Sequence, residues 1–132
     1  MSKPNFALSK NEREIMDTLW REEKPLTRRD IINFCDNKSW KESSIHILLN
    51  QLLDKEAIRV TGFVKIVKNY GRTFEPTLTR EEFEIMEMKN NFKELAPNPS
   101  VIPEFISFLI EENDMTQEQI SKLQDQLEKM KK

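Results

Sequence analysis

The chain has few of the residues that make tight turns, covalent crosslinks or metal sites. Its 132 residues include two glycines, one cysteine and one histidine. So few glycines argue against phosphate-cradling loops and against an all-β fold with many tight turns. A single cysteine excludes a disulfide framework within the chain and a cysteine metal cluster. We therefore expect no bound metal and no cofactor.

Long apolar segments are also missing from the sequence. The first ten residues lack the apolar core of a signal peptide. The most apolar stretch, VIPEFISFLI at residues 101–110, is too short to cross a bilayer and contains Glu104. These two observations predict a cytoplasmic protein.

Charge is nearly balanced over the whole chain but not along it. The net charge is −2, which alone argues against a nucleic-acid binder. Residues 1–78, however, hold 14 Lys and Arg against 11 Asp and Glu, whereas residues 79–132 hold 7 against 12. A mildly basic half followed by an acidic half suggests two separate tasks on one chain.

Three helices are predicted in the first half. Ser9 with Glu12, and Thr27 with Asp30, have the spacing of capping boxes that open the first and second helices. The third carries one apolar stripe at helical spacing. It begins either at a box formed by Ser39 and Glu42 or a few residues later. Its apolar stripe is Ile45, Leu48, Leu49 and Leu52.

A hairpin is predicted to follow the third helix. The residues from Ile58 to Val67 alternate between two faces, with Phe63 on the face of Arg59. KNYG at 68–71 then forms a turn, and RTFEP at 72–76 forms a short returning strand. Three helices followed by a hairpin is the order of a winged helix-turn-helix.

The second half is predicted to be helical. Its helices cover residues 79 to about 95, about 102 to 112, and 116 to the end. Capping boxes of Thr79 with Glu82 and of Thr116 with Gln119 open the first and last of them. In the last helix, four apolar residues follow coiled-coil a/d spacing and predict contacts between two chains. The four are Ile120, Leu123, Leu127 and Met130. We therefore expect a mainly α fold with a small β-hairpin. A winged-helix DNA-binding domain at 1–78 would precede a helical dimerisation domain at 79–132.

The sequence offers no catalytic constellation. His46 is the only histidine, and no serine or carboxylate stands at a spacing that would make it a catalyst or a metal ligand. Cys35 falls in the apolar stripe of the second helix, where a small core residue is expected. Met86 and Met88 are interpreted as packing residues. We therefore do not expect an enzyme.

DNA contacts are expected from the polar face of the third helix and from the hairpin. That face has small polar groups and one apolar residue, which suit base edges and a thymine methyl. The basic residues of the hairpin suit phosphates beside the groove. The candidates are Ser43, Ser44, His46, Ile47 and Asn50 on the helix, and Lys65, Lys68 and Arg72 on the hairpin. The alternative interpretations are a solvated helix face and a charged sheet edge.

Four stretches together resemble the penicillinase-repressor family (BlaI, MecI and CopY type), which consists of bacterial winged-helix repressors. They are ALSKNEREIMDTLW, SWKESSIHILLNQLLDKEAI, GRTFEPTLTREEF and ENDMTQEQISKLQDQL. The resemblance implies a winged helix joined to a helical dimerisation arm, and a homodimer that represses transcription from a dyad-symmetric DNA operator. The chain lacks the cysteine-rich ending of the copper-responsive branch, so it resembles the β-lactamase branch more.

In that branch a membrane sensor and protease system leads to cleavage of the repressor at an Asn-Phe bond. Asn91 and Phe92 match that bond, so the resemblance implies such a regulatory partner. The alternative interpretation is that Phe92 is a core residue and that Asn90 and Asn91 are merely exposed. Ser43-Ser44 and Gln51 stand where the family has Lys-Thr and Arg, which thins the basic set of the recognition helix. A second hypothesis is therefore a diverged winged-helix protein-interaction module with weak or no DNA binding.

Overall fold

The computed structural model describes residues 4–66, 69–95 and 98–130, without the side chains of residues 64–66, 69, 70, 127 and 130. It is mainly helical with a small antiparallel sheet, as predicted. The chain divides into two compact units, Met1–Asn90 and Asn91–Lys132. The elements are α1 (Lys10–Glu22), β1 (Leu26–Thr27), α2 (Arg28–Phe34), α3 (Ile45–Asp54), β2 (Ile58–Ile66), β3 (Asn69–Pro76), α4 (Arg80–Leu95), α5 (Ile102–Glu112) and α6 (Gln117–Met130).

Four helices start at capping boxes, as the sequence predicted. In each, the side chain of the N-cap residue accepts from the third residue's backbone N–H, and that residue's side chain accepts in return. In α1 the Ser9 N–H donates to Glu12 Oε1 at 2.7 Å, and the Glu12 N–H donates to Ser9 Oγ at 3.2 Å. The same exchange opens α2, α4 and α6, at Thr27–Asp30, Thr79–Glu82 and Thr116–Gln119.

Helix α3 takes the later of its two predicted starts. A single 3-10 turn, Glu42–Ser44, leads into it, and no side chain caps it. Ser39 has a different partner, because its Oγ and its backbone N–H donate to the Glu14 carboxylate on α1 at 2.6 and 2.9 Å. These bonds lower the pKa of Glu14 and tie the α2–α3 connection to α1. The capping box of Ser39 with Glu42 does not form.

The sheet contains one more strand than predicted. Its order is β1-β3-β2, so the returning strand β3 lies in the centre and β1 pairs with it through Leu26 opposite Phe74. The predicted alternation along β2 is wrong beyond Val60, because Thr61 is an extra residue in a β-bulge. The bulge places Phe63 opposite Arg72, on the face of Phe74 rather than on that of Arg59.

The core of the first unit lies between its helices and the sheet. It is formed mainly by the apolar stripes of α1, α2 and α3 together with Phe74 of the central strand. The largest of its fully buried apolar side chains are Ile15, Met16, Leu19, Leu26, Ile31, Leu52, Phe74 and Phe83. This helix-and-sheet arrangement is a winged helix-turn-helix, as predicted.

The first part of α4 is attached to this core. Phe83 lies with its ring centroid 5.8 Å from that of Phe6 and 5.4 Å from that of Trp20. The Trp20 indole N–H also donates to the carbonyl of Leu78, just before the helix, at 2.9 Å. Met86 packs partly against the core as predicted, but Met88 is 63% exposed, so its predicted packing role is wrong.

An ion pair between a partly exposed lysine and a buried carboxylate joins the end of α3 to the start of α1. Lys55 Nζ donates to Glu12 Oε1 at 2.5 Å and to the carbonyl of Ala7 at 2.8 Å, and the Glu12 side chain is 2% exposed. Burial raises the pKa of the Glu12 carboxyl, but hydrogen bonds from Lys55 and Ser9 outweigh it, so the pKa is lowered overall. Folding therefore favours the ionised carboxylate.

We expect Lys55→Met to destabilise the protein by about 2–3 kcal/mol at pH 7, because it leaves a buried carboxylate without its cation. The lowered pKa of Glu12 means that its contribution is present above the unfolded-state pKa and is lost as the pH falls through the folded-state pKa. The difference between the unfolding free energies of wild type and variant should therefore become smaller towards about pH 3. Urea denaturation at both pH values measures it.

The control for this variant is Arg59→Met. That change removes an exposed ion pair, between Arg59 and Glu75 at 2.7 Å, and should cost less than about 1 kcal/mol. Equal destabilisation by the two variants at pH 7 would contradict a larger contribution to stability from the pair that contains the buried Glu12 carboxylate.

The second unit contains the end of α4 together with α5 and α6. None of its described side chains is fully buried. Helix α5 presents aromatic and aliphatic side chains at its surface, and the rings of Phe105 and Phe108 stack with centroids 6.3 Å apart. Phe105 is 49% and Phe108 52% exposed. The described part of this unit therefore leaves apolar surface uncovered by the chain itself.

Candidate nucleic-acid interface

Helix α3 is divided into a core face and a solvent face. Ile45 and Leu49 are each 2% exposed, so that side of the helix is fixed against the core. The opposite side presents His46, Ile47 and Asn50, which we call the recognition face, and Ile47 is 61% exposed. An apolar side chain this exposed between two polar ones fits a surface that contacts base edges and thymine methyl groups.

The two serines lie at the beginning of this helix. Ser43 is exposed and Ser44 is half-buried, both in the 3-10 turn that precedes α3. No side chain caps the α3 N-terminus, whereas the N-termini of α1, α2 and α4 face a carboxylate of their own box. The α3 N-terminus therefore has no side-chain cap, although Glu42 lies in the turn just before it, and its backbone N–H groups suit an approaching phosphate.

Helix α3 itself contains no Lys or Arg between Ile45 and Asp54. Exposed cations are found on the neighbouring segments instead: Arg28 and Arg29 begin α2, and Lys41 precedes the 3-10 turn. Arg28 reaches the recognition face, because its guanidinium contacts the His46 ring. None of these three residues was predicted from the sequence. The signal was the TRRD stretch, since the first helix of a helix-turn-helix crosses the DNA backbone.

The hairpin formed by β2 and β3 is the predicted wing. Arg72 is exposed, and its guanidinium carbon lies 5.3 Å from the centre of the buried Phe74 ring. Its neighbour across the strands, Phe63, is 67% exposed. The Lys65 side chain and the whole of Lys68 lie outside the described residues. The wing thus presents Arg72 beside an exposed aromatic ring.

The predicted residues therefore fall into two groups. His46, Ile47 and Asn50 come together on one helix face, with Ser43 and Ser44 at its N-terminal end. Arg72 lies on a separate element, the central strand of the sheet.

The predicted dimerisation residues lie on α6. Ile120 and Leu123 are half-buried. The side chains of Leu127 and Met130 are outside the described residues. The structure thus places two of the four predicted dimerisation residues on the amphipathic helix α6, where both remain partly exposed.

The predicted cleavage bond lies in α4. Asn91 is exposed and Phe92 is 42% exposed, so Phe92 is not a core residue. The preceding residue, Asn90, is held by Asn5, since the two side-chain amides exchange hydrogen bonds of 2.8 and 3.4 Å. The division between the two compact units falls between Asn90 and Asn91. The bond therefore lies one residue beyond the last α4 residue of the first unit.

The described part of the chain offers no metal site. No cluster of three or more His, Cys, Asp or Glu could hold a metal ion there. Cys35 is 5% exposed in the core. Among the described helices, none is long and apolar enough to cross a membrane.

Comparisons with known proteins show a family and a similar solved structure. The family model described as penicillinase repressor matches residues 8–129. No curated protein sequence matches the chain. The chain is similar to a crystal structure of MepR, a transcription regulator of the Staphylococcus aureus multidrug efflux pump MepA, with 17% identity and a TM-score of 0.42. That match covers 95% of this chain and 78% of MepR, and it is too weak to support an argument about function.

Proposed function

The chain belongs to the penicillinase repressor family, and we propose that it is a homodimeric repressor that binds a palindromic operator through α3 and the wing. Family membership supports the coarser function, a DNA-binding transcriptional repressor and not an enzyme. The observation that carries the finer proposal is the recognition face. Its residues stand exposed on a helix whose other side is locked into the core.

The recognition face has the chemistry of direct base readout. The Asn50 amide can pair with both hydrogen-bonding groups of an adenine edge, and Ile47 can contact a thymine methyl. Ser43 and Ser44 have short side chains and lie at the N-terminal end of α3. In a recognition helix, this is the end that commonly contacts base edges in the major groove. The serine hydroxyls can therefore bond to base edges or phosphates without a long side chain holding the helix away.

A second candidate is a winged-helix module that binds proteins and has little affinity for DNA. It is favoured by the absence of Lys and Arg between Ile45 and Asp54, because most DNA affinity comes from neutralised phosphates. A mobility-shift titration of the intact protein on its own gene's promoter, at several salt concentrations, separates the two. Retardation that weakens steeply with salt supports the repressor, and no retardation of that DNA at low salt supports the module.

The recognition face and the wing should differ in what their removal does. We expect Asn50→Ala or Ile47→Ala to change which base pairs are preferred, at a cost of about 1–3 kcal/mol at the affected position. Arg72→Ala, Lys65→Ala or Lys68→Ala should weaken binding to all sequences about equally. Each should also make the salt slope shallower by about one for each phosphate that is no longer neutralised. Titration of randomised duplexes at several salt concentrations measures both effects.

Arg59→Ala is the charge-matched control for the wing. Arg59 lies on β2 and is paired with Glu75, so its removal should leave the salt slope nearly unchanged. If the Lys65, Lys68 and Arg72 variants bind every sequence as wild type does, the wing assignment is wrong.

Dimerisation is proposed to use the apolar side of α6. Leu123→Glu should place an unpaired charge in the seam between two chains, and burying such a charge is costly. Sedimentation velocity should then show a monomer. Ser121→Glu adds the same charge at an exposed position of the same helix and should leave the dimer intact. A Leu123→Glu protein that remains fully dimeric would place the seam within one chain.

Relief of repression is proposed to occur by cleavage of the Asn91–Phe92 bond, through a regulatory protease or a membrane sensor system. Three observations support it: Asn91 is exposed, Phe92 is partly exposed, and the boundary between the compact units lies immediately before them. Asparagine is also a poor helix former, so this turn of α4 should open more readily than its neighbours. Limited proteolysis of the free protein with mass spectrometry tests this opening.

A further inference from the structure

The contact between Arg28 and His46 joins two helices at the recognition face. One guanidinium nitrogen of Arg28, Nη1, lies within hydrogen-bond distance of His46 Nε2 and 3.4 Å from His46 Nδ1. Arg28 is the first residue of α2, His46 is the second residue of α3, and both side chains are exposed. The contact therefore forms at the surface, where DNA is proposed to bind.

Hydrogen-bond chemistry fixes the direction of this contact. A guanidinium has five N–H donors and no acceptor, so the imidazole must accept. A ring nitrogen accepts only when it carries no proton, so the His46 nitrogen that Arg28 contacts is the unprotonated nitrogen of that tautomer. The same bond leaves four guanidinium N–H groups for other acceptors. It occupies one ring nitrogen of His46, which reduces what that ring can offer to a base edge.

We infer that Arg28 is a phosphate contact of the operator complex and that His46 is the positioning residue that holds it at the edge of the recognition face. Arginine suits this role because its planar fork of donors matches phosphate oxygens. The first helix of a helix-turn-helix lies across the DNA backbone, which is where α2 places Arg28. The inference rests on the proposed DNA-binding function and deepens it.

The assignment also explains how a recognition helix without Lys or Arg can serve a repressor. The cation comes from the preceding helix and is held over α3 by an acceptor that α3 provides. His46 then acts mainly through Arg28, and base readout depends on Asn50 and Ile47. The two roles predict different behaviour for the corresponding variants.

The test is a double-mutant cycle on the intact protein, measured by fluorescence anisotropy. Wild type, Arg28→Ala, His46→Ala and the double variant are titrated with the promoter duplex and with an unrelated duplex, at several salt concentrations. Arg28→Ala should weaken binding to both duplexes about tenfold, the value of one charge-assisted hydrogen bond, and make the salt slope shallower by about one. In the His46→Ala protein, Arg28→Ala should weaken binding only about threefold, because the guanidinium has already lost the acceptor that positions it.

Two further variants distinguish positioning from a general effect of charge. Arg29→Ala removes the adjacent cation, for which the described part of the chain shows no contact with His46. Its effect should therefore multiply with that of His46→Ala. His46→Gln keeps an acceptor for Arg28, so in that background Arg28→Ala should again cost about tenfold. Thermal melts check that every variant is folded. All three side chains are exposed, so we expect their replacement to leave the fold intact.

Each outcome has a definite meaning. If wild type binds the duplexes and the Arg28→Ala variant binds them equally well, the inference is overturned and the proposed function stands. Independent, multiplying effects of Arg28→Ala and His46→Ala overturn the positioning role of His46. If wild type binds neither duplex at low salt, the proposed function itself fails, and the inference with it.

Discussion

A fragment of residues 1–91 should bind the full operator about 10²- to 10⁴-fold more weakly than the intact chain. The reason is that joining two half-site readers raises the effective concentration of the second after the first has bound, and a fragment without α5 and α6 forfeits that gain. The recognition face itself is untouched. Anisotropy titrations of both proteins on the same duplex measure the difference.

The fragment is expected to remain folded, because every residue known to be buried lies between Phe6 and Phe83. A thermal melt checks this: the unfolding midpoint of the fragment should lie close to that of the first unit in the intact protein. Fusing the fragment to an unrelated dimeric coiled coil should restore much of the affinity, since only the linkage is missing. Equal affinities of fragment and intact protein would overturn the cleavage mechanism.

Phe83→Ala should destabilise the protein by about 3–5 kcal/mol, the usual cost of emptying a buried aromatic site. Phe83 is 1% exposed, stacks on Phe6, lies tilted against Trp20, and has the Arg13 guanidinium carbon 5.1 Å from its ring centre. The change therefore removes the ring that holds both the N-terminal segment and the start of α4. Urea denaturation followed by circular dichroism measures it.

Phe92→Ala is the matched control, since it makes the same change further along the same helix. Phe92 is 42% exposed, so its removal should cost less than about 1 kcal/mol. Comparable destabilisation by the two variants would show that the second half of α4 contributes to the stability of the fold as much as the first.

The helix starts were predictable because their causes are local. A capping box needs only two residues three positions apart, and the pairs beginning at Ser9, Thr27, Thr79 and Thr116 all form. Ser39 shows the limit of such reasoning. It has the right spacing with Glu42, but a carboxylate 25 residues earlier in the chain, Glu14, takes its hydrogen bonds.

Features that depend on a distant strand or helix were not predictable. Strand β1 has two residues and no pattern of its own, and it exists only because Phe74 and Thr73 pair with it. The bulge at Thr61 follows from the register against β3, so the face of Phe63 could not be assigned from alternation alone.

The candidate site divides in the same way. The recognition face followed from the helical period of α3, whose buried residues all came from the predicted stripe. The contact between Arg28 and His46 joins residues 18 apart on two helices, and neither helix's pattern contains it. A single sequence therefore predicts which side of α3 faces outward, but not which cations stand beside it.

The central place of β3 in the sheet has a consequence for how the chain folds during synthesis. Both other strands pair only with β3, and the Trp20 indole must find a carbonyl 58 residues later, at Leu78. A ribosome that adds about 5–20 residues per second needs about 3–12 s to cover that distance. During this interval the apolar stripes of α1 and α2 lack the strand that seals them. A nascent chain stalled before Phe74 should therefore be sensitive to proteases and should bind chaperones. A chain stalled far enough beyond Phe83 for that residue to leave the ribosome should resist proteases and should not bind chaperones.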